Sequence, residues 1–326
     1  MGKTWSLFKN RRFYFIFKST ISFLLIFLLI NIVDWGRAYI IIKASNKYFF
    51  IFAPVLWLMG LLFAALRWRL ILFDAEVKFS FFQAYRTYLR GLFYNIFLPG
   101  VIGGDAVRIG ICYNQSKCKI STATYSVILE RVLGVISLFF FILLAFCFFS
   151  QNLFSALAFR MVISILIISI IVIISFFVFF AARKIWGKCF SKEDTSKVRK
   201  FFFDGFQSLK LLKGKSLVLV LILSSLFQLM DIFVSYILSR ALGINLGFSV
   251  FFTIIPLVYL VTILPISLGG LGVREGAFAF LLAKFGVSAS VAITLSFLIY
   301  FNRVLLAGIG GCVQLAEPFF IIKECN

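Results

Sequence analysis

Six long apolar stretches restrict the fold of this chain more than any other feature of its sequence. Hydrophobic residues make up 62% of the 326 residues and charged residues only 14%, so no soluble domain of useful size is left between these stretches. A helix of about 20 apolar residues crosses the roughly 30 Å hydrocarbon layer of a bilayer. We therefore expect an all-α, polytopic membrane helix bundle. Its six full spans are placed at 13–33, 49–72, 121–149, 161–182, 216–239 and 287–312.

Two further apolar stretches, 79–112 and 248–284, contain the same helix-breaking motif. The sequences LPGVIGGDAVR at 98–108 and LPISLGGLGVR at 264–274 share the pattern Leu-Pro-x3-Gly-Gly-x2-Val-Arg, with six of eleven positions identical. Proline and glycine interrupt or weaken a helix. We expect each of these two stretches to be a broken or re-entrant segment rather than a full span.

The distribution of basic residues predicts the orientation of the spans. The 33 Lys and Arg residues cluster in short loops, above all before residue 13 and in a basic loop at 183–215. Because cytoplasmic loops carry such an excess, we expect a multi-pass protein of the inner (cytoplasmic) membrane with both termini in the cytoplasm. The first outer loop, 34–48, departs from this rule with three basic residues. Orientation and anionic lipid headgroups explain the net charge of +21, so no nucleic-acid partner is expected.

The order of spans and broken segments divides the chain into two similar halves, 1–160 and 161–326. Each half contains a span, a second span, a broken segment and a third span. With the orientation given above, the two halves run through the membrane in opposite directions. Inverted repeats whose broken helices meet near the membrane midplane are common in secondary transporters. We therefore expect 1–160 to be a first membrane repeat and 161–326 to be a second, inverted one.

The two broken segments have the chemistry of an anion site. Backbone that leaves a helix inside a bilayer needs protein or a wet cavity around it. A helix that restarts after each Gly-Gly pair points free N–H groups and its positive end into the gap. An arginine lies about one turn into each restarted helix, and its guanidinium group is suited to phosphate. The resulting candidates for binding a phosphate-bearing substrate are Arg108, Arg274, Gly103, Gly104, Gly269 and Gly270.

Other charged residues within the apolar segments have two interpretations. They are substrate-binding candidates because charge inside a membrane is costly and often marks a pathway. Alternatively, they neutralise one another in structural ion pairs, and the glycines serve close helix packing. In either case we expect Glu130 and Glu275 to pair with an arginine or to cap a backbone amide inside the bundle. Asp231 is a separate candidate for a coupling site that binds a proton or a cation. The remaining candidates are Asp105, Arg131 and Arg303.

No cofactor and no metal site is expected from the sequence. The six cysteines have neither a C-x-x-C pair nor the spacing of a zinc site, and the chain contains no histidine. The segments GGDAVR and GGLGVR lack the Lys-Ser/Thr that follows the glycines of a nucleotide-binding loop.

At its glycine motifs the sequence resembles the lysylphosphatidylglycerol synthase transmembrane-region family, which is related to the membrane half of the bacterial multiple peptide resistance factor. The resemblance runs from about residue 10 to residue 315 and implies lipid translocation, because in the fused relatives this half moves an aminoacylated phospholipid across the bilayer. Their soluble aminoacyl-transferase domain has no counterpart here, so the synthase activity is not expected to carry over. The residues that carry the resemblance are NIFLPGVIGGDAVR (95–108), ERVLG (130–134), PISLGGLGVREGAF (265–278) and NRVLLAGIGG (302–311).

The residues and the resemblance together favour a flippase or transporter that is not an enzyme. Its substrate is expected to be an anionic phospholipid or a polyprenyl-phosphate-linked lipid. One alternative is a membrane-embedded transferase that acts on lipid-linked substrates, but the short outer loops offer only Asp34 as an acidic residue. The other is a non-catalytic partner of a cell-envelope biosynthesis enzyme, which would have no need of two charged broken helices at equivalent positions.

Overall fold

A computed structural model describes residues 47–97, 103–153, 214–263 and 270–316, together with the single residues 36 and 267. These four ranges are helical apart from short turns and contain no β-strand, in agreement with an all-α fold. Their helices are, in chain order, α1 Lys47–Asp74, α2 Phe81–Phe97, α3 Gly103–Ser116, α4 Ile120–Leu153, α5 Gly214–Ala241, α6 Phe248–Ile263, α7 Val273–Ala283 and α8 Ala289–Ala316.

Four of these helices are long and apolar enough to cross a membrane. They are α1, α4, α5 and α8, and their candidate spans are 26 to 28 residues long. They correspond to four of the spans predicted from sequence, at 49–72, 121–149, 216–239 and 287–312. The predicted spans at 13–33 and 161–182 lie outside the described residues, as does nearly all of the basic loop at 183–215. The protein is therefore an integral membrane protein with several apolar helices, while the total of six spans stays a prediction.

Each of the two glycine-containing stretches contains a pair of short helices. The stretch 79–112 includes α2 and most of α3, and the stretch 248–284 includes α6 and α7. Within each pair the two helices pack against each other. Gly270 and Gly272 have φ angles of 75° and 84°, in the left-handed region that favours glycine, immediately before α7 begins. A helix does restart after the second glycine pair, as expected; Pro99, Pro265 and Gly269 lie outside the described residues.

The helices of the two halves pack in equivalent ways. The most extensive contact joins α1 to α5, the first described helix of each half. α2 packs on α8, and α6 correspondingly packs on α4; α1 contacts α8, and α5 contacts α4. If α1, α2, α3 and α4 are matched with α5, α6, α7 and α8 in that order, each principal helix contact of the described chain has a counterpart under this match.

Close helix contacts depend on glycine at particular positions. A Cβ atom at Gly310 of α8 would lie 2.0 Å from the backbone oxygen of Leu89 in α2, and one at Gly311 would lie 2.8 Å from the ring of Phe93. A third such position, Gly60 of α1, faces Met230 of α5 at 3.0 Å. Small residues at these points allow the backbones of α2 and α8 to approach each other.

We expect the substitution Gly310→Ala to lower the thermal stability of the purified protein in detergent. The new methyl group overlaps the α2 backbone, and overpacking of this kind typically costs about 1–3 kcal/mol. The matched control is Gly308→Ala in the same helix, where a Cβ atom meets nothing within 4 Å. Since alanine favours a helix over glycine, the control variant should melt at or above the wild-type temperature. Equal melting temperatures for the two variants would contradict the packing described here.

Candidate functional site

The first turn of α3 is held tightly against α2. The backbone N–H of Gly104 donates a hydrogen bond to Oδ1 of Asn95 at 2.8 Å. A Cβ atom at Gly104 would lie 2.2 Å from the backbone oxygen of Gly91, so only glycine allows this approach. The same contact fixes the position of Arg108, whose side chain packs over Gly91. The Gly-Gly pair at 103–104 therefore positions the arginine that follows it.

The carboxylate of Glu130 is the meeting point of the four described helices of the first half. Glu130 lies on α4 and is 3% exposed. Its Oε1 accepts hydrogen bonds from Nη2 of Arg67 on α1 and from the hydroxyl of Tyr88 on α2. Its Oε2 accepts a bond of 2.5 Å from Nη2 of Arg108 on α3. A buried carboxylate needs such partners because its charge has left water.

Asp105 extends this arrangement to a third arginine. Its Oδ1 lies 3.4 Å from Nη1 of Arg108, and its Oδ2 accepts a bond of 2.5 Å from Nε of Arg131. We call the ion-paired series Arg67, Glu130, Arg108, Asp105 and Arg131 charge cluster 1. With three cations and two anions its formal charge is +1. The side chain of Arg131 is 49% exposed, whereas that of Arg108 is 7% exposed.

Aromatic rings hold the guanidinium group of Arg108 in place. Its Cζ lies 3.8 Å from the ring centroid of Tyr88 and 4.4 Å from that of Trp68. Trp68 is fully buried, and its Nε1 donates to Oγ of Ser126 at 2.9 Å. Stacking on two rings favours a desolvated arginine. The Nε atoms of Arg108 and Arg67 are buried and have no hydrogen-bond partner among the residues that the structure describes.

Arg274 is paired in a smaller cluster in the second half. Its Nε lies 3.0 Å from both Oε1 of Glu275 and Oγ of Ser296, and its Nη2 also bonds Glu275. Oε2 of Glu275 accepts a bond of 2.7 Å from the backbone N–H of Gly272, so this carboxylate also caps the start of α7. We call Arg274, Glu275 and Ser296 charge cluster 2. Its formal charge is zero.

Arg108 and Arg274 have partners at equivalent positions. Arg108 bonds Glu130, 22 residues further along the chain, and Arg274 bonds Ser296, also 22 residues further along. The arginine on α3 thus bonds α4, and the arginine on α7 bonds α8, at the same spacing along the chain. The second half has a neutral hydroxyl where the first half has a carboxylate.

A third polar group joins the two halves of the described chain. Oδ1 of Asp231 on α5 accepts a bond of 2.7 Å from Nε1 of Trp57 on α1. Oδ2 of Asp231 lies 3.4 Å from Nη2 of Arg303 on α8, and the same Nη2 donates to the hydroxyl of Tyr259 on α6 at 2.8 Å. We call Trp57, Asp231, Tyr259 and Arg303 the Asp231 cluster.

The structure thus distributes the candidate residues over three clusters. Cluster 1 contains four of them, cluster 2 contains two, and the Asp231 cluster contains two. The prediction that Glu130 and Glu275 are paired inside the bundle is confirmed, since each is buried and bonded to arginine. Both phosphate-binding arginine candidates already have carboxylate partners. A phosphate therefore has to displace a contact or use the exposed end of cluster 1.

Sequence reasoning missed several members of these clusters. Arg67 lies beside Arg69 near the end of a predicted span, where basic residues are typical orientation signals, and it is therefore not among the predicted site residues. Its spacing of three residues from Ala64 and four from Ile71, both buried, is the signal that it faces the core. Trp57, Tyr88 and Tyr259 are hidden among many other aromatic residues in the sequence. No group of His, Cys, Asp and Glu within the described ranges could hold a metal ion.

The described helices and their buried ion pairs define a polytopic α-helical membrane protein with charge clusters between its helices. The chain belongs to the family described as "Lysylphosphatidylglycerol synthase TM region", which matches residues 15–311. It is also similar to the UPF0104 membrane protein MJ1595 of Methanocaldococcus jannaschii, with 24% identity over 299 residues, 85% of this chain and 87% of the relative. No solved structure matches the chain.

We expect Glu130→Gln to destabilise the protein strongly. The substitution leaves the Arg67 and Arg108 guanidinium groups buried without their shared counter-charge, and breaking a buried pair in this way typically costs about 3–5 kcal/mol. The matched control is Glu76→Gln, the same change at an exposed glutamate. Thermal unfolding followed in detergent should show a large loss for the first variant and no significant change for the second. A Glu130→Gln protein as stable as wild type would contradict the central role of this carboxylate.

Proposed function

We propose that the protein moves a phosphate-bearing lipid across the membrane, and that charge cluster 1 binds the lipid phosphate. The observation that carries this proposal is a series of three arginines and two carboxylates between apolar helices, with a formal charge of +1 for these five residues. The side chain of Arg131, at one end of the series, is 49% exposed. Guanidinium groups in such surroundings favour the binding of an anion such as phosphate. The proposal treats the protein as a transporter rather than as an enzyme.

The depth of Arg131 supports a lipid headgroup as the anion. Arg131 follows the first residue of the apolar window Ile120–Ala145 by eleven positions, which is roughly 16 Å along the helix axis. That distance is about half of the hydrocarbon thickness. Since the side chain is 49% exposed, a ligand can reach it from outside the cluster. A phosphate that is attached to a lipid tail has the negative charge that Arg131 attracts, and it can reach the depth in the bilayer at which Arg131 lies.

The contact between Arg108 and Asp105 is the point where the phosphate enters. At 3.4 Å it is the longest ion pair in cluster 1, whereas the remaining pairs are 2.5 Å or shorter. A phosphate that binds Arg131 and Nη1 of Arg108 replaces Asp105 as their shared partner. Glu130 keeps its bonds to Arg67 and Tyr88 throughout, so the helices stay in position. The acyl or prenyl tail remains in the bilayer while the headgroup crosses.

The equivalent packing of the two halves supports an inverted repeat, the second part of this proposal. Transporters with inverted repeats expose a central site to each side in turn by movement of one repeat against the other. The reciprocal contacts of α2 with α8 and of α6 with α4 fit this arrangement. Arg274 is the equivalent contact in the second half and binds the phosphate once its pairing with Glu275 is relaxed.

The family description supports a lipid substrate. It names a synthase of lysylphosphatidylglycerol, which is the anionic phospholipid phosphatidylglycerol with a lysine attached, and the match to its membrane region covers residues 15–311. In this proposal the protein lies in the cytoplasmic membrane with both termini in the cytoplasm and takes an anionic phospholipid or a polyprenyl-phosphate-linked lipid.

We expect Arg108→Ala to slow lipid exchange between leaflets at least tenfold. The assay follows headgroup-labelled phosphatidylglycerol in proteoliposomes, with a second arm that uses a labelled polyprenyl phosphate. A hydrogen bond to a charged group contributes about 1.5–3 kcal/mol, and about 1.4 kcal/mol corresponds to a factor of ten. Arg108→Lys keeps the charge and should retain part of the rate.

Two further variants separate binding from folding in this assay. Arg131→Ala removes the half-exposed cation and should also slow exchange, because it deletes one of the two arginines that the phosphate contacts. Arg69→Ala changes an exposed arginine of α1 that lies outside the clusters and should leave the rate unchanged. Size-exclusion profiles establish that each variant is folded. Equal exchange rates for wild type, Arg108→Ala and Arg131→Ala would refute the proposed site.

A further inference from the structure

The Asp231 carboxylate is the least compensated of the four buried carboxylates among the described residues. Glu130 is bonded by two arginines and a tyrosine. Asp105 has one arginine at 2.5 Å and a second at 3.4 Å, and Glu275 has Arg274, Ser296 and a backbone amide. Among the described residues Asp231 forms one ion pair, the 3.4 Å contact to Arg303, although Asp231 is just 5% exposed.

Burial without close compensation favours the neutral form of a carboxyl group. The groups that face Asp231 can be named helix by helix. α8 contributes Arg303, α6 contributes the hydroxyl of Tyr259, and α1 contributes only the uncharged N–H of Trp57. α4 is the remaining helix packed on α5, and the hydroxyl groups of Ser137 on α4 and Ser225 on α5 are hydrogen-bonded to each other.

Arg303 does not depend on Asp231 alone. Its Nη2 bonds Tyr259 at 2.8 Å, and its Cζ lies 5.2 Å from the Tyr259 ring centroid. When a proton from hydronium forms an O–H bond at Oδ2 of Asp231 and water is released, Arg303 keeps both contacts with Tyr259. The formal charge of the Asp231 cluster then rises from zero to +1. The side chain of Arg303 is 32% exposed, so an anion can approach it.

We propose that Asp231 is a proton-binding site whose occupation turns Arg303 into a second contact for the anionic lipid headgroup. This inference rests on the proposed transport function and adds its coupling ion. Since the carboxylate and the headgroup compete for the same guanidinium group, proton binding and anion binding favour each other. Because Trp57 of α1 donates to Asp231 of α5, the proton-binding site lies at the interface of α1 and α5, where the two halves pack together.

The first test is an infrared pH titration of the protein in nanodiscs, which reads proton binding without any transport. The other carboxyl groups of the chain also protonate as the pH falls, so the readout is the difference between the wild-type and Asp231→Asn titrations. The C=O stretching band of one protonated carboxyl group should appear in this difference at a higher pH than the bands that the two proteins share. The matched control is Asp74→Asn, the same change at a carboxylate outside the clusters that bonds Ser216, and it should retain the band. In phosphatidylglycerol the band should persist to higher pH than in phosphatidylcholine.

A second variant guards against loss of structure in Asp231→Asn. Trp57→Phe keeps the carboxylate but removes the indole N–H that donates to it. Because that hydrogen bond stabilises the ionised carboxylate, its loss favours the protonated form. The band of this variant should persist about one pH unit higher than that of wild type. Identical titrations of wild type and Asp231→Asn, with no band that depends on Asp231, overturn the inference.

The second test is lipid exchange under an imposed pH gradient. The wild-type and Asp74→Asn rates should respond several-fold to the gradient, and the Asp231→Asn rate should not. Exchange in wild type that ignores the gradient overturns the coupling and leaves the transport function intact. Absence of exchange in wild type overturns the transport function instead, while the infrared titration still decides whether Asp231 binds the proton.

Discussion

The carboxylate of Glu130 receives hydrogen bonds from side chains on α1, α2 and α3, and the arrangement of α1 to α4 around buried charge depends on it. In an apolar bundle a buried arginine needs a counter-charge, and Glu130 supplies one to both Arg67 and Arg108. Arg67 and Arg108 are buried, whereas the side chain of Arg131 at the other end of the series is 49% exposed. In our proposal the lipid phosphate therefore enters at the Arg131 end.

The two halves pack in nearly equivalent ways but differ in the residue that bonds the arginine after the glycine motif. The partner of Arg108 is the carboxylate of Glu130, while the partner of Arg274 at the same register is the hydroxyl of Ser296. Cluster 1 carries a formal charge of +1, and cluster 2 and the Asp231 cluster carry none. In our account the permanent positive charge recruits the lipid phosphate, and the proton on Asp231 adds a second positive charge only at one stage of the cycle.

Sequence reasoning reached the helical class and four long helices because an apolar run of about 20 residues has few other stable forms. It also located the helix pairs at the glycine motifs, since Pro and Gly act locally on the backbone. It could not identify Arg67 or Trp57 as cluster members. Their partners, Glu130 and Asp231, are 63 and 174 residues away, and a pairing of that kind is set by how helices pack rather than by local spacing.

We propose that an anionic lipid headgroup occupies charge cluster 1 near the middle of the bilayer. Cryo-electron microscopy of the protein in nanodiscs that contain phosphatidylglycerol can show this headgroup. We expect density for a phosphate within hydrogen-bond distance of Arg131 and Arg108, continuous with an acyl chain in the bilayer, and its loss in Arg131→Ala. A map in which cluster 1 contains no such density, with lipid headgroups only at the bilayer surfaces, would contradict it.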